Sequence, residues 1–299
     1  VGIGLLFLEV LVYSERIDTK ENILNPILLS IGSFHLSYYG LFYGLAILVV
    51  YTLAKRELGT VGVDLNDDEL LNVMILTFLG AIAGSRLYYV ALNWEYYSST
   101  KTPWYEFAMI WHGGLAVHGG LLTGCLSLWL VCRVHPLPFK QMADLFAPGL
   151  LLGQGIGRLG SFMNGESFGS ATSLPWGVIF RYGQAAKDYP GVALHPVMLY
   201  EALADLVGFL LLYWTGRKQM NPGFTAALYL SIYGVIRFGL SFLRVDDLLI
   251  GGVKGSQMWS ILMVTLSLAL IFGLELYRKE EIPQKKEEQQ FLPKRQWKL

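Results

Sequence analysis

Seven apolar stretches dictate what this chain can fold into. They run at about 34–54, 70–92, 114–134, 141–161, 197–215, 223–243 and 256–277 of the 299 residues. A helix needs roughly 20 apolar residues to cross the hydrocarbon of a bilayer, and each stretch comes near that length. No water there can satisfy a backbone amide, so each segment must close its own hydrogen bonds as a helix. The expected fold is an all-α membrane protein, a polytopic bundle of about seven transmembrane helices. Only 15% of the residues are charged, against about 25% in soluble domains. Eight Trp and 17 Tyr suit aromatic belts at the two interfaces. A formal net charge of zero gives no bulk attraction to nucleic acid.

Lys and Arg set the expected orientation. The tail after Tyr277 carries Arg278, Lys279, Lys285, Lys286, Lys294, Arg295 and Lys298. On the same side lie short loops with Lys55 and Arg56, Arg133 and Lys140, and Arg217 and Lys218. The opposite side has seven Lys/Arg spread over longer segments. Residues 278–299 therefore read as a charged cytoplasmic tail, and 1–33 as an extracytoplasmic N-terminal arm. Between them, 34–277 form the seven-span domain. The apolar run 1–13 has no small-residue cleavage pattern and reads as an interfacial segment, not a signal peptide. Residues 164–196 become an extracytoplasmic loop or head region without a clear helix or strand pattern; loops that long are usually functional or disordered. Cys125 and Cys132 are seven residues apart on one apolar run, about 10 Å along a helix. That is too far for a disulfide, and both read as buried packing residues.

Two arginines sit inside these spans. Arg158 closes the run 150–159, and Arg237 lies within 226–243. A charge at bilayer depth costs at least about 2.5–3.5 kcal/mol and marks a functional site by default. The plain alternative is a side chain that snorkels to the interface or pairs with a carboxylate. A guanidinium grips phosphate with paired hydrogen bonds, which points to a phospholipid head group. Around Arg158 stand Ser161, three residues on and on the same helix face, then Asn164 and Glu166 in the turn. Tyr233, Arg237, Ser241 and Arg244 follow spacings of four, four and three, and form one polar stripe. Tyr38 and Tyr39 lie near the outer end of the first span, where tyrosine often anchors at the interface. The third span opens Trp111-His112-Gly113-Gly114-Leu115-Ala116-Val117-His118-Gly119-Gly120. Four glycines make a poor helix start and read as a re-entrant or bent Gly-rich segment. His118 there can carry a proton near neutral pH; a hydrogen-bonded core histidine is the simpler reading of the same residue.

These segments together resemble the bacterial prolipoprotein diacylglyceryl transferases over residues 25–277. The resemblance rests on Tyr38-Tyr39-Gly40, Gly84-Ser85-Arg86, His118-Gly119-Gly120, Gly157-Arg158-Leu159-Gly160 and Asn164-Gly165-Glu166. His195-Pro196 before Leu199-Tyr200-Glu201, and Tyr233-Gly234 before Arg237, complete it in the family's order. It implies transfer of the diacylglyceryl group of phosphatidylglycerol to the lipobox cysteine of a prolipoprotein signal peptide. The products would be a thioether and glycerol phosphate. The reaction would take place at the outer face of the bacterial cytoplasmic membrane, with no metal or cofactor. The resemblance implies functional positions at Tyr39, His118, Arg158, Asn164, Glu166, Gly169, Tyr233, Arg237 and Arg244. His195, Ser161 and Ser241 join the candidate substrate-binding set.

The chemistry matches the residue types. A thiol of pKa about 8.5 needs a base or a positive field before it attacks carbon. The departing phosphate needs cations where its charge grows. Three positions depart from the family: Ser161 stands where Asn is usual, Ser241 where Glu is usual, and His112 at a commonly acidic position. A related enzyme with another acceptor or lipid, and a non-catalytic lipid-binding or transport protein, are the alternative readings. Transporters often carry inverted repeats, and the Gly-rich histidine segment has no counterpart in the second half of the sequence.

Overall fold

The computed structural model describes residues 21–22, 26–31, 34–99, 103–110, 113–218, 220–245, 249–250 and 252–279. The apolar run 1–13, His112 and nearly all of the charged tail lie outside them. Seven long helices occupy the described residues: α1 Tyr38–Glu57, α2 Asp67–Leu92, α3 Val117–Val134, α4 Phe139–Asn164, α5 Val197–Gly216, α6 Phe224–Ser241 and α7 Gly255–Gly273. Their ends fall within four residues of the apolar stretches. Five of them, α1, α2, α5, α6 and α7, are long and apolar enough to cross a membrane, and α3 contributes the shorter apolar helix Gly119–Val134. The chain is a mostly helical, multi-pass membrane protein.

Local chemistry sets several helix ends. Residues 34–37, counted with the first span in the sequence, are a strand instead. Strand β3 (Phe34–Ser37) pairs antiparallel with β2 (Ile27–Ile31). The helix starts at Tyr38 because Ser37 Oγ accepts the Gly40 amide at 3.1 Å, as a capping serine does. Helix α2 opens on a capping box. Asn66 accepts from Glu69 N at 2.9 Å, and Glu69 accepts from Asn66 N at 2.9 Å. The bend foreseen before α3 is present. Gly113 and Gly114 take φ of +86° and +81°, a region open to glycine, and the helix begins only at Val117. Gly119 and Gly120 fall inside its first turn, where small residues let it approach α2.

The chain packs as two units. One comprises 50–149, 214–226 and 271–299. Its core gathers Leu70, Val73, Leu128, Cys132, Met142 and Phe146. Asp144 caps the start of α6 by accepting from Gly223 N at 2.6 Å and Ala226 N at 2.8 Å. Cys132 is buried in this core, but Cys125 is exposed, contrary to the sequence reading. The cluster reaches only Leu128, Val131 and Cys132 of α3, so the turn that carries Cys125 is left uncovered.

The other unit comprises 1–49, 150–213 and 227–270. Here the 164–196 loop, expected to be irregular, is folded. Its strand β4 (Ile179–Phe180) runs parallel to β1 (Glu21–Asn22). Val178 and Leu194 exchange both backbone hydrogen bonds at 2.9 Å. Phe168, Phe180, Ala185 and Leu194 bury themselves with Phe42, Ile156 and Phe162 of α1 and α4. A second small hairpin joins β5 (Leu249–Ile250) to β6 (Val253–Lys254) ahead of α7.

The α2–α3 contact depends on missing side chains. A Cβ on Gly84 would lie 2.3 Å from Thr123 Cβ, and one on Gly80 2.7 Å from Ser127 Cβ. Gly84→Leu should therefore destabilise the protein by about 1–3 kcal/mol through overpacking. Gly44→Leu, where nothing lies within 4 Å, should not. Thermal midpoints of the two purified variants in one detergent check this; equal midpoints would remove close packing as the reason for Gly84.

Candidate active site

Three arginines converge on one carboxylate. Glu201, on α5, is fully buried. Arg158 Nη2 from α4 lies 2.9 Å from its Oε1. Arg237 Nη1 from α6 lies 3.4 Å from Oε1, and Arg244 Nη1, just past α6, lies 3.6 Å from Oε2. The arginine side chains are 17%, 14% and 7% exposed. Asp205 sits one turn along α5, also fully buried, with no hydrogen-bond partner for either oxygen among the described residues. Among the described residues, three guanidiniums meet the one carboxylate of Glu201. Three guanidiniums held side by side suit an anion that can accept from several of them at once.

The second sphere of the cluster is aromatic and polar. Tyr233 is buried and stacks on Tyr229, with ring centroids 6.0 Å apart and planes 3° apart. Gln154 Nε2 donates to Tyr229 Oη at 2.9 Å. Ser161 and Ser241 are both buried. Ser241 Oγ donates to the Phe238 carbonyl at 2.6 Å, bonding back along its own helix. Lys254 Nζ caps the end of α6, donating to the carbonyls of Ser241 at 2.5 Å and Arg244 at 2.6 Å. A lysine there complements the helix dipole and fixes the turn that delivers Arg244. Tyr39 lies on α1, with its hydroxyl bonded to that of Tyr43 at 3.1 Å.

The loop after Arg158 closes against the same groups. Arg158 Nη1 donates to Ser167 Oγ at 3.4 Å, and Ser167 is held at φ +61°, a left-handed conformation uncommon outside glycine. Asn164 Nδ2 donates to Glu166 Oε1 at 2.5 Å. Burial raises the Glu166 carboxyl above its ordinary value, and the Asn164 amide pulls it partly back. Gly169 has a packing reason for its identity. A Cβ there would lie 2.5 Å from Val197 Cγ2, 2.8 Å from His195 Cβ and 3.0 Å from the Leu243 carbonyl. Its amide donates to His195 O at 3.0 Å, and Ser170 N donates to Leu243 O at 2.8 Å. The loop backbone is thereby stitched beside Arg244. His195 Nδ1 lies 3.3 Å from Tyr200 Oη, which also accepts from Trp176 Nε1 at 2.7 Å.

The unit thus contains Tyr39, Arg158, Ser161, Asn164, Glu166, Gly169, His195, Tyr233, Arg237, Ser241 and Arg244. His118 belongs to the other unit, in the first turn of α3, and its side chain lies outside the described residues. Sequence reasoning left Glu201 and Asp205 off the candidate set. The signal was present: they are the two acids of an apolar span, four residues apart on one face.

The family pattern of prolipoprotein diacylglyceryl transferases matches residues 26–273. The chain belongs to that family. A protein of Fervidobacterium nodosum named phosphatidylglycerol–prolipoprotein diacylglyceryl transferase is 36% identical over 275 residues, 90% of this chain and 90% of its own length. Proteins of the same name are 35% identical in Staphylococcus haemolyticus and 36% identical in Gloeobacter violaceus. Those alignments cover 86% and 81% of this chain, and 89% of each relative. In this diacylglyceryl transferase chain, Glu201 is the carboxylate that meets all three arginines.

Removing one partner of a buried ion pair leaves the others stranded and typically costs about 3–5 kcal/mol. Glu201→Ala should destabilise the purified protein by that order, and Glu201→Gln by less, since the amide oxygen still accepts. Added anionic phospholipid should recover part of the loss by supplying a new partner. Thermal midpoints with and without the lipid check this; a Glu201→Ala midpoint equal to wild type would show that the carboxylate does not hold the arginines.

Proposed function

We propose that this protein transfers the diacylglyceryl group of phosphatidylglycerol to the thiol of a lipobox cysteine in a prolipoprotein signal peptide. The observation that carries the reading is the three-arginine cluster on Glu201 in a membrane protein of this family. The cysteine sulfur attacks the glycerol carbon that bears the phosphate ester. A C–S bond forms, the C–O bond breaks, and glycerol phosphate leaves with the bonding electron pair. The nucleophile belongs to the substrate, so the enzyme needs only to position, deprotonate and neutralise. Arg158 and Arg237 hold the phosphate, and Arg244 adds field where negative charge grows on the leaving group. Tyr39, Ser161, Asn164, Glu166 and Tyr233 supply hydroxyl, amide and carboxyl groups for the glycerol head. His118 takes the thiol proton. The protein works in the bacterial cytoplasmic membrane with the site toward the outer face and the C-terminus inside.

Ser161 and Ser241 favour one second reading, a related enzyme with another acceptor or lipid. Products separate the two: labelled phosphatidylglycerol should give a lipidated cysteine peptide, not lipid joined to another acceptor. No transfer to the peptide, under conditions where a relative works, contradicts the first reading. Arg158→Lys and Arg237→Lys should each lose most of the rate, because an ammonium lacks the planar two-pronged contact. Near-wild-type rates in both would rule out phosphate clamping. His118→Gln should cut turnover by roughly 10²–10⁴, the usual worth of a general base. Unchanged turnover at saturation would leave it as a binding group alone.

A further inference from the structure

Arg86 directs its donors at main-chain carbonyls. It is 5% exposed, on α2, and a guanidinium offers five N–H donors in a fixed plane. Nε donates to the Phe107 carbonyl at 2.8 Å and one Nη to that of Glu106 at 2.8 Å. The other Nη donates to the carbonyls of Gly113 at 2.5 Å and Gly114 at 3.0 Å. The rings of Tyr97 and Tyr89 lie 5.5 Å and 5.8 Å from its Cζ. Four main-chain carbonyls of one segment therefore engage four of its donors. Arg158, Arg237 and Arg244 meet a carboxylate instead.

The segment so held is the lead-in to His118. A Cβ on Gly114 would lie 2.5 Å from Tyr89 Cε1 and 2.6 Å from Arg86 Nη1, so glycine is required for contact as well as for φ. Ser85 takes the next residues. Ala116 N donates to Ser85 O at 3.2 Å, and Ser85 Oγ donates to Ala116 O at 2.8 Å. Beyond His118, Gly119 rests on α2: a Cβ there would lie 2.4 Å from Tyr88 Cβ and 2.8 Å from the Gly84 carbonyl. Thr123, one turn on, donates to Gly119 O at 2.8 Å and covers Gly84. The backbone is thus tied to α2 on both sides of His118, by the consecutive residues Gly84, Ser85 and Arg86.

We infer that Gly84-Ser85-Arg86 is a positioning device for His118, with Arg86 its principal residue. A glycine-rich lead-in has large backbone freedom, and nothing in its own composition fixes where the first turn of α3 begins. Arg86 removes that freedom by gathering the carbonyls of residues 106, 107, 113 and 114 onto one rigid plane. It touches no substrate and acts through the chain that carries the imidazole. The inference rests on His118 being the proton carrier of the proposed reaction.

A double-mutant cycle on the full-length protein tests it, with phosphatidylglycerol vesicles and a lipobox peptide. A misplacement of about 1 Å can cost about a hundredfold in rate. Arg86→Gln is expected to lower kcat by roughly 10–100-fold and leave KM for phosphatidylglycerol unchanged. The Arg86→Gln/His118→Gln double variant should be no slower than His118→Gln alone, because the positioned group is already gone. Arg86→Lys, with three donors, should recover part of the rate. If Arg86→Gln does not fold, Ser85→Ala carries the same cycle with a smaller loss, again absent in the His118→Gln background. Multiplying losses, a loss confined to KM, or an unimpaired Arg86→Gln beside an impaired His118→Gln would overturn the inference and leave the role of His118 standing. Full activity of His118→Gln would instead refute the proton-carrier role, and the positioning inference with it.

Discussion

The carboxylate of Glu201 is the point on which the arginine site depends. It meets guanidiniums from α4, from α6 and from the turn after α6, at 2.9 Å, 3.4 Å and 3.6 Å. Buried ion pairs contribute little net stability against the cost of desolvation. They do make displacement costly. A helix that slipped by one turn, about 5.4 Å, would strand a charge at a depth where water cannot screen it. The cluster therefore sets the register of three elements.

The protein uses buried arginine in two ways. Arg158, Arg237 and Arg244 keep donors directed at an acid, and a phosphate presents the same kind of oxygen. Arg86 has its donors turned onto carbonyls and organises backbone. The same side chain thus meets a carboxylate in one unit and main-chain carbonyls in the other. Glycine is used with similar economy. Gly84 admits a neighbouring helix, Gly114 admits Arg86 and Tyr89, and Gly169 admits the loop backbone that meets Arg244.

Much of this was legible from the sequence. The apolar stretches placed all seven helices to within four residues, because in lipid the backbone has few alternatives. The arginines announced themselves by the cost of their position. Glu201 and Asp205 carried an equal signal, but their partners lie on other helices and no sequence spacing connects them. The 164–196 loop was unreadable for another reason. Its strand is two residues long, and its pairings run to Glu21 and Asn22, far too short and too distant for a period-2 pattern to register. The exposure of Cys125 depends on how far along α3 the core extends, which periodicity does not report. Ser37 starts the first helix later than the apolar stretch begins, through one side-chain hydrogen bond.

The most direct measurement is a structure of the full-length protein with phosphatidylglycerol bound, in lipid nanodiscs. The lipid phosphorus should lie where both Arg158 and Arg237 donate to its oxygens, at roughly 2.7–2.9 Å for charge-assisted bonds, with Glu201 still bonded to at least one of the three arginines. A phosphate held elsewhere, with Arg158, Arg237 and Arg244 all remaining on Glu201, would contradict the assignment of the cluster as the lipid-phosphate site.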